Sequence, residues 1–516
     1  MTDETHAGHV GHPGFGTDED DPERGFVTDQ DPLADAVDEE TLPLGAQPAS
    51  ATVVALPPPG DLSVLDVRPV PGPPREYHFP SFERSRLANG LTVLTVNLPG
   101  RPLLAAQLVL LGGAAIERPE LAGVTALTGR ALTEGTARLD AIEFIEAAER
   151  LGAELHADAG WDALNCGLEV PRSHFGPALG LLAEMALQPR FPQDEVARLR
   201  EERLNDLLQA RADPRRRSER VFPETIYDPA SPYGRPLGGI EETVGTLDRE
   251  AVVERHAATL DPAAASLVVA GDLAGLDPLA LAEQRFADWQ PRSVATIETE
   301  ARAHPYGPRV VLVDRPGSPQ SELRIGHLGL PRKTPDFHAV SVLNGVLGGT
   351  FGSRLNRLLR EELGYTYGIH SSFDLRRAAG PFVVRSGVET EVTVPAIIET
   401  FNVLRGIRSA EVEPRELEIV RDYLVGVFPL RFEGAAPVAA ALAGLAVFDL
   451  PDDELDRYRP QIAAVQAADV LAAARLHIRP DEASIVVVGD ASRVEVPLRD
   501  AELGTLTVIA PDASAA

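Results

Sequence analysis

The sequence repeats one strand motif, first in its middle and again near its end. Residues 265–272 read ASLVVAGD and residues 483–490 read ASIVVVGD. Each motif follows a segment with small and apolar residues at helical spacing, and each is an apolar run ended by Gly-Asp, which is typical of a buried strand. A chain that closes two of its sections with the same helix, turn and strand is built from two related halves.

The two halves also begin alike. Residues 84–115 contain two strand patterns around an LPGRP turn, and residues 309–330 contain two around a DRPGSPQ turn. A helix with small residues follows each pair. A chain of 516 residues has room for more than one domain. The order of elements therefore predicts two homologous α+β domains, at 77–291 and 309–498, joined by a linker at 292–308.

The two ends of the chain depart from this pattern. Residues 1–76 are rich in Asp, Glu, Pro, Gly and Ala, which predicts a disordered tail or linker, since such a segment buries too little apolar surface to offset its ordering entropy. His6, His9 and His12 have the spacing of metal ligands, but a solvated tail supplies nothing to orient them. Residues 499–516 are predicted to form a C-terminal tail.

The charge balance narrows the possible functions. The chain has 48 Lys+Arg against 78 Asp+Glu, a formal charge of -30, which disfavours binding to nucleic acid or anionic lipid. A single cysteine, Cys166, excludes an intramolecular disulfide and a thiolate zinc cluster. No charged segment followed by an apolar stretch opens the chain, and no apolar run approaches the ~18 residues of a membrane helix. We therefore expect a cytoplasmic protein.

Several motifs between Phe79 and Asp490 carry a family resemblance. They are LANGLTVLTV, GGAAIERPELAGVTALTGRALTEGT and SPYGRPLGGIEETVGTL in the first half, and VLNGVLGGTFGSRLNRLLREELGYTYGIHSSFD in the second. In this order they resemble the pitrilysin/insulinase family, particularly the short two-domain form related to mitochondrial processing peptidase. The resemblance implies a mostly antiparallel sheet packed with helices in each domain, the pair forming half of a clam-shell chamber.

The zinc motif of that family is degenerate here. In active members one helix carries H-x-x-E-H, in which two His bind zinc and the Glu is the general base, and a third ligand follows on a later helix. Aligning GVTALTGRALTEGT with this motif places Ala126, Gly129 and Arg130 at the His, Glu and His positions. The third-ligand position falls near Asp206. One carboxylate does not hold a catalytic zinc, so we expect no metal in this chain.

Other residues do not replace the missing motif. His156, His256 and Cys166 lack ligand spacing, and the sequence contains no H-E-x-x-H or G-x-S-x-G. The glycines of GGTFGSR are similar to a phosphate loop, but the Lys of that motif does not follow them. Nucleotide binding and an independent catalytic centre are both disfavoured.

The second half retains two residues of the family's active site. Arg360 and Tyr367 in LREELGYTYG match the Arg and Tyr that family members bring to the zinc site from the second domain. The resemblance implies that the Tyr hydroxyl stabilises the developing oxyanion and that the Arg binds the substrate. A planar, permanently charged fork and a neutral hydroxyl donor suit these roles. The alternative is structural: Arg360 stabilises the end of its helix and Tyr367 packs in a strand.

These observations lead to one hypothesis and its alternatives. Several bacterial members of this family, like the mitochondrial enzyme, are heterodimers in which only one chain binds zinc. We expect this chain to be the non-catalytic subunit of such a peptidase, with no cofactor of its own, zinc in a homologous partner subunit, and Arg360 and Tyr367 contributed in trans. The alternative is an inert scaffold or peptide-binding protein of the same fold. An independent peptidase is disfavoured by the lost zinc ligands.

Overall fold

The computed structural model describes residue 72 and residues 75–291 and 299–511. Most of the predicted N-terminal tail and the beginning of the predicted linker, at 292–298, lie outside these residues. The described parts form two six-stranded, mostly antiparallel sheets with helices around them. The predicted α+β class with two similar halves is confirmed.

The first sheet contains the six strands that precede residue 272. Its spatial order is β1-β2-β6-β3-β5-β4, with all neighbours antiparallel except β2 and β6. The central strands are apolar on both sides because helices cover both faces. The strands are β1 (Phe82–Arg86), β2 (Thr92–Asn97), β3 (Leu103–Leu111), β4 (Glu154–Ala159), β5 (Ala163–Pro171) and β6 (Ala265–Gly271).

The second sheet repeats this arrangement with one change at its edge. Its order is β12-β7-β11-β8-β10-β9, so that β11, which carries the second copy of the repeated motif, has the central place of β6. The strands are β7 (Arg309–Asp314), β8 (Gln320–Leu328), β9 (Ile369–Phe373), β10 (Pro381–Glu389), β11 (Ser484–Gly489) and β12 (Thr505–Ile509).

The segment predicted as a C-terminal tail, residues 499–516, contains strand β12. It pairs in parallel with β7, at the position that β1 holds in the first sheet. The segment TLTVI is short and mostly exposed, so its periodicity is too weak to identify a strand from sequence. The open edge of β7 supplies the hydrogen-bonding partner that orders it.

The helices flank the sheets and connect their strands. Two π-helical segments, Gly345–Gly349 and Asn356–Glu362, interrupt the connection between β8 and β9. The α-helices are α1 (Val124–Ala131), α2 (Ala141–Leu151), α3 (Phe175–Leu187), α4 (Gln193–Ala212), α5 (Pro214–Ile226), α6 (Glu241–Val244), α7 (Arg249–Thr259), α8 (Pro278–Phe286), α9 (Phe337–Asn344), α10 (Thr393–Gly406), α11 (Pro414–Val427), α12 (Ala435–Phe448), α13 (Glu454–Ala464), α14 (Ala467–His477) and α15 (Ala491–Asp500).

Two helices cross between the halves. Helix α5, from the first half, packs on β8 and β11 of the second sheet, while α12, from the second half, packs on β3 and β6 of the first. Helix α12 is entirely apolar in sequence, and its inward residues join a core that contains residues of both halves. Each half thus covers one sheet face of the other, and neither sheet is buried on both faces without the exchange.

Among the described residues, no single helix has the length and apolar character needed to span a bilayer. Two consecutive helical segments, Pro414–Phe432 and Ala435–Phe448, are together long and apolar enough for a membrane span, but the chain bends by 111° between them. The apolar character of the second segment is explained by the packing of α12 on the first sheet.

Candidate functional site

The start of α1, the helix of the degenerate zinc motif, is fixed by a buried carboxylate. Glu117 accepts hydrogen bonds from the backbone N–H groups of Gly123, at 3.0 Å, and Thr125, at 2.6 Å. Burial raises the pKa of Glu117, although these hydrogen bonds and the nearby Arg255 oppose the rise. Arg255 donates from Nε to the Thr125 hydroxyl at 2.8 Å. Glu117, Thr125 and Arg255 are therefore connected by hydrogen bonds that hold the start of α1 in place.

The side chains at the zinc-motif positions offer no metal ligand. Ala126 has no donor atom, and Gly129 lies where an added Cβ would come within 3.2 Å of Leu164 Cδ1. The Gly129 position therefore allows α1 to pack closely on the sheet. Arg130 places a positively charged guanidinium at the motif position of a zinc-binding His. Its Nη2 lies 3.2 Å from Glu202 Oε2 on α4. A guanidinium–carboxylate pair thus joins the two helices.

Glu202 belongs to a network of charges on the outer side of α1 and α4. Arg198 donates to Glu134 at 2.8 Å, to Glu195 at 2.6 Å and to Glu202 at 2.5 Å. Burial raises the pKa of Glu134, because its environment disfavours the carboxylate more than Arg198 stabilises it. These groups are partly exposed, so the network adds modestly to stability.

Asp206, the predicted third-ligand position, points elsewhere. Its carboxylate accepts from Arg216 Nη2 on α5 at 2.7 Å and also pairs with Arg203. The carboxylate of α4 that reaches α1 is that of Glu202, one helical turn earlier. Sequence spacing locates the family's third ligand only to within one helical turn. The sequence alone therefore does not distinguish Glu202 from Asp206.

These residues do not fit a zinc ion. A catalytic zinc needs three protein ligands from His, Cys, Asp or Glu. Alanine and glycine supply none, and the arginine at the third motif position repels a cation. Within residues 75–291 and 299–511, no group of three or more such side chains could hold a metal ion.

Arg360 lies in the π-helical segment Asn356–Glu362 and is partly exposed, beside an aromatic neighbour. Its Cζ lies 4.4 Å from the ring centroid of Phe351, and its Nε lies 3.4 Å from Glu361 Oε1. The Phe351 side chain is itself exposed. A guanidinium on an aromatic face is restricted in orientation yet keeps its N–H groups available.

Tyr367 is the most exposed large side chain of this region, at 92 % exposure, and it precedes β9 instead of packing within it. The loop that contains it is ordered by Thr366, whose hydroxyl oxygen lies within hydrogen-bonding distance of the carbonyl oxygens of Gly368, at 2.8 Å, and Gly387, at 2.7 Å. Among the described residues, neither Arg360 nor Tyr367 forms a hydrogen bond or ion pair with α1. No hydrogen bond or ion pair therefore links the two predicted groups of site residues within the described part of the chain.

The Pro-Tyr-Gly loop has a role that the sequence did not reveal. Tyr233 is fully buried, and its hydroxyl donates to Asp162 Oδ1 at 2.6 Å. The other carboxylate oxygen accepts from the backbone N–H of Arg377 at 2.9 Å, and the Tyr233 oxygen accepts from the N–H of Ala378 at 3.3 Å. Burial raises the pKa of both Tyr233 and Asp162. The Tyr233 side chain therefore connects the two halves and is not available to a substrate.

Two family models match the chain in succession. Residues 92–237 match "Insulinase (Peptidase family M16)", and residues 246–424 match "Peptidase M16 inactive domain". The first match includes α1 with its degenerate motif. The second includes Arg360 and Tyr367.

Curated relatives include proteins named as uncharacterized zinc proteases and one named as a non-peptidase homologue. The chain is 25 % identical over 356 residues to an uncharacterized zinc protease of Mycobacterium tuberculosis, covering 68 % of this chain and 81 % of the relative. It is 22 % identical over 338 residues to the "Non-peptidase homolog YmxG" of Helicobacter pylori, covering 64 % and 76 %.

Solved structures have the same architecture. A peptidase M16 inactive domain from Pseudomonas fluorescens superposes with a TM-score of 0.74 at 26 % identity, covering 79 % of this chain and 98 % of that one. A Helicobacter pylori protease gives a TM-score of 0.74 at 19 % identity over 80 % of this chain and 100 % of that one, which supports the fold alone. The chain belongs to the insulinase family, peptidase family M16, as a member whose own helix α1 lacks the zinc ligands.

Proposed function

We propose that this chain is the non-catalytic subunit of a heterodimeric zinc metallopeptidase that hydrolyses peptides. The zinc would lie in a homologous partner subunit, and this chain would contribute Arg360 and Tyr367 to the partner's active site. The observation that carries the proposal is the exposure of the Tyr367 side chain. Arg130 of the zinc-motif helix is paired with Glu202, whereas the Tyr367 side chain is 92 % exposed.

The exposure of Tyr367 supports a role at an interface. Folding alone gives no reason to leave the Tyr367 ring 92 % exposed, and the Phe351 ring, on which Arg360 stacks, is exposed as well. Tyrosine and arginine are enriched where proteins bind one another, because each combines apolar area with directed hydrogen bonding. In the proposed complex the Tyr367 hydroxyl would stabilise the oxyanion and Arg360 would bind the substrate chain.

The test is a reconstituted peptidase made from this chain and a zinc-bearing family member from the same cell. Tyr367→Phe should lower turnover about 10²- to 10³-fold, as the loss of one oxyanion donor does. Arg360→Ala should weaken apparent substrate affinity about 10- to 100-fold, because a charge-assisted contact is lost. Assembly and zinc content of the partner should not change.

The matched control is Arg357→Ala, in the same π-helical segment and with a 62 % exposed side chain. Glu361 is less suitable because it contacts Arg360. If both site variants assemble with the partner and retain wild-type kinetics, the in trans mechanism is wrong and the chain is a scaffold or peptide-binding protein of this fold. Failure of the wild-type chain to bind any zinc-bearing family member would reject the heterodimer itself.

A further inference from the structure

Two arginines lie directly opposite each other on the second sheet. Arg385 of β10 is the register partner of Arg324 of β8. Like charges at directly opposite positions of an antiparallel pair destabilise a sheet. The fold therefore gains nothing from placing a second arginine at this position.

The two arginines differ in their partners. Arg324 is almost fully buried and pairs with Glu219 at 3.3 Å and with Glu322 at 3.0 Å. Arg385 instead donates from Nη1 to the neutral hydroxyl oxygen of Ser372 at 2.6 Å. Among the described residues, no carboxylate forms an ion pair with Arg385. One charge of the opposed pair is thus compensated by direct contacts, and the other is not.

The more distant carboxylates near Arg385 are already engaged. Glu219 pairs with Arg324, and Asp374 pairs with Arg376. Both carboxylates favour the charged form of Arg385, yet burial and the facing Arg324 lower its pKa. The surroundings of Arg385 therefore destabilise its positive charge on balance, and an additional anion would relieve this cost.

Arg385 lies between α5 and the edge strand of the sheet, where solvent reaches it. Helix α5 packs mainly on β8 and β11, and β10 and β9 continue beyond it. On β9, Arg385 aligns with His370, whose side chain is exposed. On the α5 side, the 72 % exposed side chain of Arg215 is close enough to affect the pKa of Arg385. Arg385 itself is partly exposed, unlike Arg324.

The loop that carries Tyr367 is attached to the strand of Arg385. The Thr366 hydroxyl oxygen lies 2.7 Å from the carbonyl oxygen of Gly387 and 3.0 Å from the hydroxyl oxygen of Ser386. Gly387 follows Arg385 by two residues, which is ~7 Å along a strand. A peptide that lies on the Tyr367 loop therefore extends to Arg385 within a few residues.

The chemistry of Arg385 suits a single carboxylate. A guanidinium binds the two oxygens of a carboxylate through parallel N–H groups, and the Ser372 contact through Nη1 restricts the orientation of this fork. Long polyanions such as nucleic acid are disfavoured by the formal charge of -30 on the whole chain. The ligand that fits is a short chain with one carboxylate near the guanidinium.

We propose that Arg385 binds a carboxylate of the peptide that the proposed complex admits, supplied by an acidic side chain or by the free C-terminus. The choice of a peptide as the carrier rests on the proposed function, whereas the choice of a carboxylate rests on Arg385 and its position opposite Arg324. The bound carboxylate compensates the charge of Arg385. Peptides that present a carboxylate to this position are therefore favoured over neutral peptides of the same length.

The experiment measures binding of three peptides to the full chain without a partner. The peptides share one apolar sequence and an uncharged fluorophore at the N-terminus. The first has one Glu and an amidated C-terminus, the second has Gln and a free C-terminus, and the third has Gln and an amidated C-terminus. Fluorescence anisotropy is read at about 0.15 M NaCl, where long-range repulsion by the acidic chain is screened. We expect the first or the second peptide to bind about tenfold more tightly than the third, and the tighter of the two identifies the source of the carboxylate.

Variants of Arg385 test whether this preference depends on its guanidinium. Arg385→Gln should bind all three peptides equally, and Arg385→Lys, which keeps the charge but not the fork, should retain a preference of about threefold. Arg499→Gln, which alters an exposed helical ion pair on α15, is the matched control and should keep the full preference. Because Arg385→Gln removes a charge that faces Arg324, its melting temperature should not fall below that of the control. If Arg385→Gln does not fold, Arg385→Lys provides the same comparison.

Three results would overturn the inference: equal affinity of the wild-type chain for all three peptides, a full preference retained in both Arg385 variants, or no binding of any peptide. None of them affects the in trans mechanism, which is measured by the turnover of the reconstituted peptidase with Tyr367→Phe. Conversely, a preference that depends on Arg385 in a chain that binds no zinc-bearing family member would support the carboxylate site and reject the heterodimer. The two proposals therefore fail separately.

Discussion

The strands of the two sheets are paired in the same register, but equivalent positions beneath the crossing helices carry uncharged side chains in one sheet and charged side chains in the other. Across the first sheet, Val268 of β6 aligns with Gln107, Gly167 and the edge residue His156. Across the second, the equivalent Val486 of β11 aligns with Arg324, Arg385 and the edge residue His370. The same backbone row therefore carries a glycine and an amide in one half and two arginines in the other.

The crossing helices match this difference. Helix α12 lays an apolar face on the first sheet, whereas α5 adds Glu219, whose Oε1 lies 3.3 Å from Arg324 Nη2. Arg324 is almost fully buried and also pairs with Glu322 at 3.0 Å. Burial and the facing Arg324 lower the pKa of Arg385. One fold can thus close the same interface by apolar burial or by a buried ion network.

The largest effect is expected at the apolar crossing. Leu442 of α12 is fully buried in the shared core, so Leu442→Ala should lower the free energy of unfolding by about 2 to 5 kcal/mol. Leu430→Ala, at a leucine that is 62 % exposed, is the control and should change it by less than about 1 kcal/mol. Urea denaturation measures both. Equal effects would mean that α12 does not close the first sheet.

A smaller loss is expected at the ionic crossing. Glu219→Gln removes one partner of the buried Arg324 and should lower the free energy of unfolding by about 1 to 3 kcal/mol, with Glu322 remaining as the second partner. Glu418→Gln on the exposed side of α11 is the matched control. A gain in stability on Glu219→Gln would show that desolvation outweighs pairing at this crossing.

The junction at Asp162 should give a pH-dependent signature. Its pKa is raised by burial, so the folded state binds more protons than the unfolded state between the ordinary and the raised pKa. The contribution of Asp162 to stability therefore falls as the pH rises through this window. Relative to Asp162→Asn, which does not titrate, the wild-type chain should lose stability as the pH rises from about 4. Thermal denaturation of both proteins across that range measures the difference, and parallel curves would contradict it.

The smallest effect is expected in the row of the first sheet. A Cβ on Gly167 would lie 2.1 Å from His156 Nε2, but the His156 side chain is 43 % exposed and its ring can rotate away. Gly167→Ala should therefore cost about 1 kcal/mol or less. In a His156→Ala background the same change should cost nothing, a non-additivity that a double-mutant cycle detects. If the costs of the two substitutions were additive, the strain would lie in the backbone and not in the contact with the His156 ring.

The sequence predicted the parts of this molecule that repeat locally. The Gly-Asp that ends β6 and β11, together with the turns before β3 and β8, defines the two halves because each signal lies within a few residues. The all-apolar composition of α12 predicts burial but not which sheet buries it. The choice of Glu202 over Asp206 as the contact of α1 is likewise tertiary, since both lie on one helix and only packing distinguishes them.

The crossing of α12 has a consequence for how the chain is made. The first sheet is complete when β6 ends at Gly271, but the helix that covers one of its faces ends at Phe448. Synthesis of the intervening stretch of about 180 residues takes about 10 to 35 s at ~5 to 20 residues per second. During that time the face around Val109 and Val268 has no cover, so the nascent first half needs a chaperone or remains incompletely folded. A fragment ending at residue 291 should for the same reason aggregate when expressed alone.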